Sequence, residues 1–301
     1  MSTPDTMARS GSAQARLAEF WSDRQQLVDA ELDRMMPSPT ADPVRLHRAM
    51  RHAVFAGGKR LRPLLAIACY EATNGTRQSI YPVAAALEML HTYSLIHDDL
   101  PCMDDDDQRR GQPTVHVAFD EATAVLAGDA LHALAFEILT EFAPGAVTRE
   151  VVHAIGTAGM LGGQMADLEA EGAVATEELV TGIHRRKTGA LIIARARAGA
   201  HVAGAPPESL QAITDYARPL GLAFQIVDDL LEVQGDAKRL GKPAASDQKH
   251  GKVTYPGAVG IEAARTKARE LTLEAKAALE GFRGDTGILR AIAEFIESRD
   301  H

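Results

Sequence analysis

Cysteine is scarce in this sequence, with only Cys69 and Cys102 in 301 residues. Two thiols cannot form a disulfide framework, so a reduced, cytoplasmic setting is the simplest expectation. Aromatics make up only 5%. Glycine and proline are near their ordinary shares, and abundant Ala, Leu and Glu favour helix over sheet. No run of alternating Val, Ile, Thr and aromatic residues lies between turn residues, so strands are not expected. Residues Met1 to Ala15 carry Ser, Thr, Asp and Pro instead of an apolar run, which argues against a signal peptide. No stretch reaches the ~18 consecutive apolar residues of a membrane span. No Gly/Ser linker and no fixed-period repeat divides the chain. Positive charge is also short: the formal net charge is −9. Nucleic acid is therefore not an expected partner, because phosphate backbones need a basic field.

What is present is helix after helix, with 46% hydrophobic residues available for a large core. Helices are expected over 13–36, 43–55, 63–73, 82–99, 121–142, 149–169, 176–186, 187–202, 208–233, 262–279 and 286–299. Pro63 and Pro82 open two of them, and Gly57-Gly58 and Asn74-Gly75 punctuate the chain. Leu220 to Leu231 is apolar on most of its face, as a central helix would be. The expected architecture is all-α: one bundle of about ten or more helices around a central cavity. It forms a single domain over 1–301, with 1–15 a poorly ordered leading segment.

Two acidic clusters stand out. The first, Ile96-His97-Asp98-Asp99-Leu100-Pro101-Cys102-Met103-Asp104 with Asp105 to Asp107, ends an apolar helix. Acids are disfavoured at a helix C-terminus, where the dipole already presents negative charge. A hard divalent cation with oxygen ligands is the natural compensation. Asp98 and Asp99 lie ~100° apart on a helix, and Pro101 breaks its regularity. A bulge there would swing Asp104 back beside Asp98. For Asp105, Asp106 and Asp107 a solvated surface explains the sequence equally well. The second cluster, Asp228-Asp229-Leu230-Leu231-Glu232, sets three carboxylates on one helical face among apolar neighbours. Carboxylates in such surroundings need protons, partners or a metal.

Basic residues are interspersed. Gly57-Gly58-Lys59-Arg60-Leu61-Arg62-Pro63 brings cations into a loop that enters a helix, where glycines admit an anion and the helix N-terminus favours it. Arg109-Arg110-Gly111, Lys187-Thr188-Gly189, Lys242 and Lys252 follow. Singly, each is an ordinary surface charge. None belongs to a P-loop, which needs different glycine spacing and a preceding strand.

Together these residues resemble the polyprenyl diphosphate synthase family, nearly end to end from Phe55. The resemblance covers Gly57 to Pro63, Asp98 to Asp104 with Arg109-Arg110-Gly111, Gly128-Asp129-Ala130-Leu131, Gly163-Gln164 with Asp167-Leu168, Lys187-Thr188, Phe224-Gln225 with Asp228-Asp229, and Lys252 with Tyr255-Pro256. The Pro101-Cys102 insertion is similar to bacterial farnesyl and plastid or bacterial geranylgeranyl synthases. Glu232 departs from the family, which usually has a third Asp. The resemblance implies an isoprenoid synthase-like fold and a magnesium-dependent enzyme, with manganese able to substitute. It implies that Asp98, Asp99, Asp104, Asp228 and Asp229 form the metal sites. It assigns isopentenyl diphosphate to Lys59, Arg62, His91 and Arg110. It assigns the allylic diphosphate to Arg109, Lys187, Thr188, Gln225, Lys242 and Lys252. Lys187, Thr188 and Gln225 are also implied in the catalytic step, together with Asp98 and Asp228. A homodimer is implied as well.

Product length is expected to depend on Tyr93 and Ser94. Tyr93 stands five residues before Asp98, ~7.5 Å deeper along the axis. In the family a bulky aromatic there is similar to the floor of short-chain synthases, which implies farnesyl diphosphate as product. Geranylgeranyl diphosphate is the alternative. Two readings outside this class are a non-catalytic prenyl-diphosphate-binding subunit, which would lack an acidic motif or its basic partners, and a terpene cyclase, which would not need the isopentenyl site.

Overall fold

Proline and glycine punctuation, set between Ala- and Leu-rich runs, divides the chain into helices. A computed structural model describes residues 4–76, 78–234 and 251–299, with side chains from residue 13. In chain order the helices are α1 (Pro4–Met35), α2 (Val44–Val54), α3 (Leu61–Ala72), α4 (Ile80–Asp98), α5 (Val115–Ala118), α6 (Glu121–Phe142), α7 (Gly145–Ile155), α8 (Met160–Glu169) and α9 (Glu177–His184). They continue with α10 (Ala190–Val202), α11 (Pro207–Gln234), α12 (Tyr255–Val259), α13 (Ile261–Ala277) and α14 (Gly287–Ser298). The fold is all-α, as the sequence indicates.

Several details differ from expectation, among them the short helices α5 and α12, which the expected spans omit. Helix α1 starts at Pro4, within the segment expected to precede it; proline suits a first helical turn, where its missing N–H is not needed. The helix expected over 149–169 is two, α7 and α8, separated at Gly156 to Gly159. Gly159 needs its bare Cα there, because a Cβ would come within 2.0 Å of the Ala154 carbonyl oxygen. A small antiparallel hairpin, β1 (Gln108–Arg109) and β2 (Gln112–Pro113), appears where no strand was expected. Its turn residues Arg110 and Gly111 both have positive φ, 55° and 75°, as a tight two-residue hairpin turn requires. Finally, Arg185–Gly189 forms a π-helical turn between α9 and α10.

Helix α4 is the centre of the bundle, and every residue from Pro82 to Tyr93 is buried. It is enclosed by α1, α2, α3, α6 and α10. Full burial of a leucine such as Leu87 contributes about 2 kcal/mol, which makes this helix the main apolar anchor. A second apolar cluster joins Leu222, Ile226, Leu230 and Leu231 of α11 to Val180, Ile183 and Leu271. Among the described residues α6 alone is long and apolar enough to cross a membrane. It packs along α4, with Gly128 so close that a Cβ would meet the His97 ring at 2.2 Å. Its other side leaves Val125 and Leu126 exposed.

Candidate active site

The C-terminus of α4 does not simply stop. Leu100 donates to the His97 carbonyl at 3.3 Å and Met103 to that of Leu100 at 2.8 Å. Asp104 N–H then returns to the Asp98 carbonyl at 2.8 Å. The six-residue excursion around Pro101 thus brings Asp104 back beside Asp98. Asp105 takes φ 50° to close the turn. Cys102 sits exposed in this loop, and Cys69 is buried in α3.

The two aspartates of the pair then diverge. Asp98 faces a cavity of about 980 Å³. Burial raises its pKa despite Lys187 nearby, and Asp104 adds to the rise. Asp99 turns away and is gripped by Arg109 of β1, whose Nε lies 2.7 and 3.0 Å from its two oxygens. Arg109 also reaches Asp106 at 3.3 Å, so Asp106 is buried instead of being part of a solvated run. Burial opposes the Arg109 charge, but these carboxylates outweigh it and keep the guanidinium protonated.

Across the cavity α11 presents the second cluster. Asp228 lines the space and pairs with Arg299 of the chain's end at 2.9 Å. Burial raises its pKa, although Arg299 and Arg62 pull the other way. Asp229 is anchored: it accepts from the Tyr255 N–H at 2.8 Å and from Gln225 at 3.2 Å, with His184 at 3.3 Å. Glu232 is 3% exposed and lines the same cavity.

Basic residues close the ring. Lys187 lies in the π-helical turn and bonds Asp167 at 2.6 Å. Burial lowers its pKa, but Asp167 and Asp98 raise it by more. Gly163 of α8 abuts this turn, because a Cβ there would come within 2.3 Å of the Lys187 amide nitrogen. The neighbouring Thr188 hydroxyl donates to Gln225 Oε1 at 2.8 Å, which links π turn, Gln225 and Asp229 in one chain. Lys252 bonds Asp104 at 2.8 Å and so ties the second half of the chain to the first motif.

On the other side, Arg62 and the buried His91 line the cavity. Burial pushes Arg62 down to about 10, with Glu88 and Asp228 opposing. His91 is held well below its ordinary value, first by burial and then by Arg62, so it is neutral at pH 7. Arg110 donates to the Gly57 carbonyl at 2.5 Å, and Gly58 beside its guanidinium takes φ 117°, a conformation that favours glycine. Lys59 stands at the rim, 5.3 Å over the Phe295 ring. Arg60, one residue further, serves the fold: with φ 49° it is buried against Asp29, Glu88 and the Val54 carbonyl.

Deeper in, Tyr93 lines the cavity wall and is wedged by edge contacts to His132 at 4.9 Å and His97 at 5.8 Å. Ser94 beside it donates to the His91 carbonyl at 2.9 Å. Among the described residues assigned to metal, substrate or chain length from the sequence, Asp99 alone does not line the cavity, standing behind it against Arg109. Lys242 lies outside the described residues. The structure also brings in Asp167, Glu88, Arg195 and Arg299, to which sequence reasoning gave no role. Glu88 and Arg195 could have been noticed as charges inside otherwise apolar helices. Arg299 carries no local signal, since only the packing of α14 brings it to Asp228.

The chain matches the family model for polyprenyl synthetase over residues 43–283. It is 40% identical over 294 residues to a farnesyl diphosphate synthase of Bacillus subtilis (strain 168), covering 95% of this chain and 99% of that one. It is 44% identical over 289 residues to the chloroplastic heterodimeric geranylgeranyl pyrophosphate synthase large subunit 1 of Arabidopsis thaliana, covering 92% and 77%. A solved FPP/GFPP synthase from Zymomonas mobilis superposes with TM-score 0.79 at 38% identity, over 96% of this chain and 99% of that one.

Proposed function

The chain belongs to the polyprenyl synthetase family, and from that premise we propose that it condenses isopentenyl diphosphate with dimethylallyl and geranyl diphosphate, giving farnesyl diphosphate. It is a prenyltransferase of isoprenoid synthesis. The observation that carries the reading is the single cavity ringed by both acidic motifs and by two separate sets of cations, with aromatic and apolar walls beneath.

The residues fit magnesium as a resident ion. Their donors are hard carboxylate oxygens, and burial leaves Asp98 and Asp228 short of compensating charge. Among the described residues no group of three or more His, Cys, Asp or Glu is arranged to hold a metal alone. That suits an ion completed by substrate phosphate oxygens, magnesium's usual mode. We assign it to Asp98, Asp104 and Asp228, oriented by Asp99 and Asp229, with Glu232 in reach. When bound, magnesium would neutralise the diphosphate that leaves the allylic carbon.

The chain's own groups do the rest. Lys187, Arg109 and Lys252, with Lys242, hold the allylic diphosphate and stabilise it as it departs. Thr188 and Gln225 turn oxygen dipoles toward the carbocation without attacking it. Lys59, Arg62, Arg110 and neutral His91 hold isopentenyl diphosphate so that its double bond attacks that carbon. The departing proton goes to the released diphosphate. Apolar walls keep water from the cation. Tyr93 blocks the depth of the cavity, which favours fifteen carbons over twenty.

A homodimer in the cytoplasm completes the proposal, paired through the apolar face that α5 and α6 expose at Val117, Val125 and Leu126. Incubation with labelled isopentenyl diphosphate and geranyl diphosphate, plus magnesium, should give a farnesyl product by chromatography and none with chelator. No incorporation would remove the enzyme reading in favour of a binding subunit. Tyr93→Ala should lengthen the product.

A further inference from the structure

Lys187, Leu191 and Arg195 follow at four-residue spacing from the π turn down α10, and all three line the cavity. The first is expected at a diphosphate site and the second at an apolar wall. The third is a cation below both, 2% exposed. Its Nε and Nη2 atoms are buried and have no hydrogen-bond partner among the described residues. The acid nearest in charge, Glu88, is already bonded to Arg60 at 3.0 Å, with Arg110 4.0 Å away. The other charge that acts on Arg195 is the like charge of Arg62, and burial pushes its pKa down to about 9.

The arginine cannot escape by a shift of its helix. One turn later Gly199 packs so tightly on α3 that a Cβ would meet the Ala66 carbonyl oxygen at 2.0 Å. Tyr93 lines the same cavity, and its hydroxyl is also buried without a hydrogen-bond partner among the described residues. A hydrocarbon tail is held best by an apolar wall, yet here the wall offers orphaned donors and a positive charge. A tail that reached them would leave an unpaired cation in contact with hydrocarbon, the costliest kind of burial.

We propose that Arg195 is a specificity-determining residue, whose guanidinium, together with Tyr93 on the same cavity wall, ends the space open to the growing tail. The inference rests on the chain-elongation reading above. Tyr93 contributes bulk at this level and Arg195 contributes charge. Their effects are separable, because an arginine replaced by methionine keeps most of its length and loses only the cation.

The test uses the full chain with magnesium, labelled isopentenyl diphosphate and geranyl diphosphate. Arg195→Met should raise the ratio of twenty- to fifteen-carbon product by about tenfold or more, since the penalty for stripping a lone cation is removed. Arg195→Lys should keep the wild-type ratio. An unchanged ratio in Arg195→Met with turnover persisting would overturn the inference alone. So would a raised KM for isopentenyl diphosphate at unchanged product length, which would assign Arg195 to diphosphate binding. No incorporation by the wild type would defeat both readings. If Arg195→Met misfolds by circular dichroism, the wild type still decides. Unreactive thiolodiphosphates with fifteen- and twenty-carbon tails should then inhibit it unequally, the longer about tenfold more weakly. Equal inhibition would overturn the proposal.

Discussion

The two acidic motifs reach the same arrangement by opposite local routes. On α11 an unbroken helix carries Asp228, Asp229 and Glu232, and i, i+1, i+4 spacing alone puts them together. At the end of α4 the helix must break, and a loop held by the Asp104-to-Asp98 backbone bond returns the third carboxylate. In both motifs the first aspartate faces the cavity with its pKa raised by burial. In both the second is tied to the scaffold, Asp99 by a guanidinium and Asp229 by a backbone N–H. The comparison separates an acid positioned for work from an acid that positions it. It also shows that the anchors differ in kind, one ionic and one mainly neutral.

The largest effect should fall on the cavity-facing pair. Asp98→Ala and Asp228→Ala should each lower kcat by at least about 100-fold, comparable to loss of a key electrostatic group, with helical circular dichroism unchanged. A defect in only one of them would break the symmetry between the motifs. The anchors should differ in stability. Asp99→Ala removes the main partner of half-buried Arg109, leaving Asp106 at 3.3 Å, and should cost about 3 kcal/mol, the low end for breaking a buried pair. Asp229→Ala orphans the Tyr255 N–H and should cost about 1–3 kcal/mol. Equilibrium denaturation checks the order, and equal costs would contradict the ionic-versus-neutral distinction.

A pH series sharpens the comparison further. Asp98 and Asp228 have raised folded-state pKa values, so the stability each contributes is present below its unfolded value and lost as pH rises through the raised one. Protons and magnesium compete for the same oxygens. The rise in Tm on adding magnesium together with inorganic diphosphate should therefore be larger at about pH 8 than at about pH 5, and Asp98→Asn with Asp228→Asn should flatten it. A rise independent of pH would place the ion elsewhere. The smallest effect is expected at Glu232→Asp, which keeps the charge on a shorter arm and should change kcat by less than about tenfold. A loss as deep as that of Asp228→Ala would make Glu232 an equal partner in the second motif.

Much of this was legible beforehand. The all-α fold followed from the absence of strand alternation and the long apolar runs. The acid motifs followed from charges placed where a helix dipole and apolar neighbours make them costly. What stayed hidden depended on chain geometry at short range. The split at Gly156 to Gly159 arises because the turn brings Gly159 against the Ala154 carbonyl, a contact that no periodicity records. The hairpin at 108–113 has only two residues per strand, too few for alternation to show.

The sequence by itself determined the helical content, the two carboxylate clusters and the cations that accompany them, because period, capping and local charge repulsion act within a few residues. Only the tertiary structure decided which member of each pair is anchored to the scaffold. That choice depends on partners far along the chain: Arg109 for Asp99, Tyr255 for Asp229, Lys252 for Asp104 and Arg299 for Asp228. It also decided that Arg195, an ordinary arginine in a helical run, is buried on the wall of the cavity that Tyr93 lines, without a hydrogen-bond partner among the described residues. Burial and charge pairing are sums over neighbours brought together by packing, and a linear sequence does not state who those neighbours are.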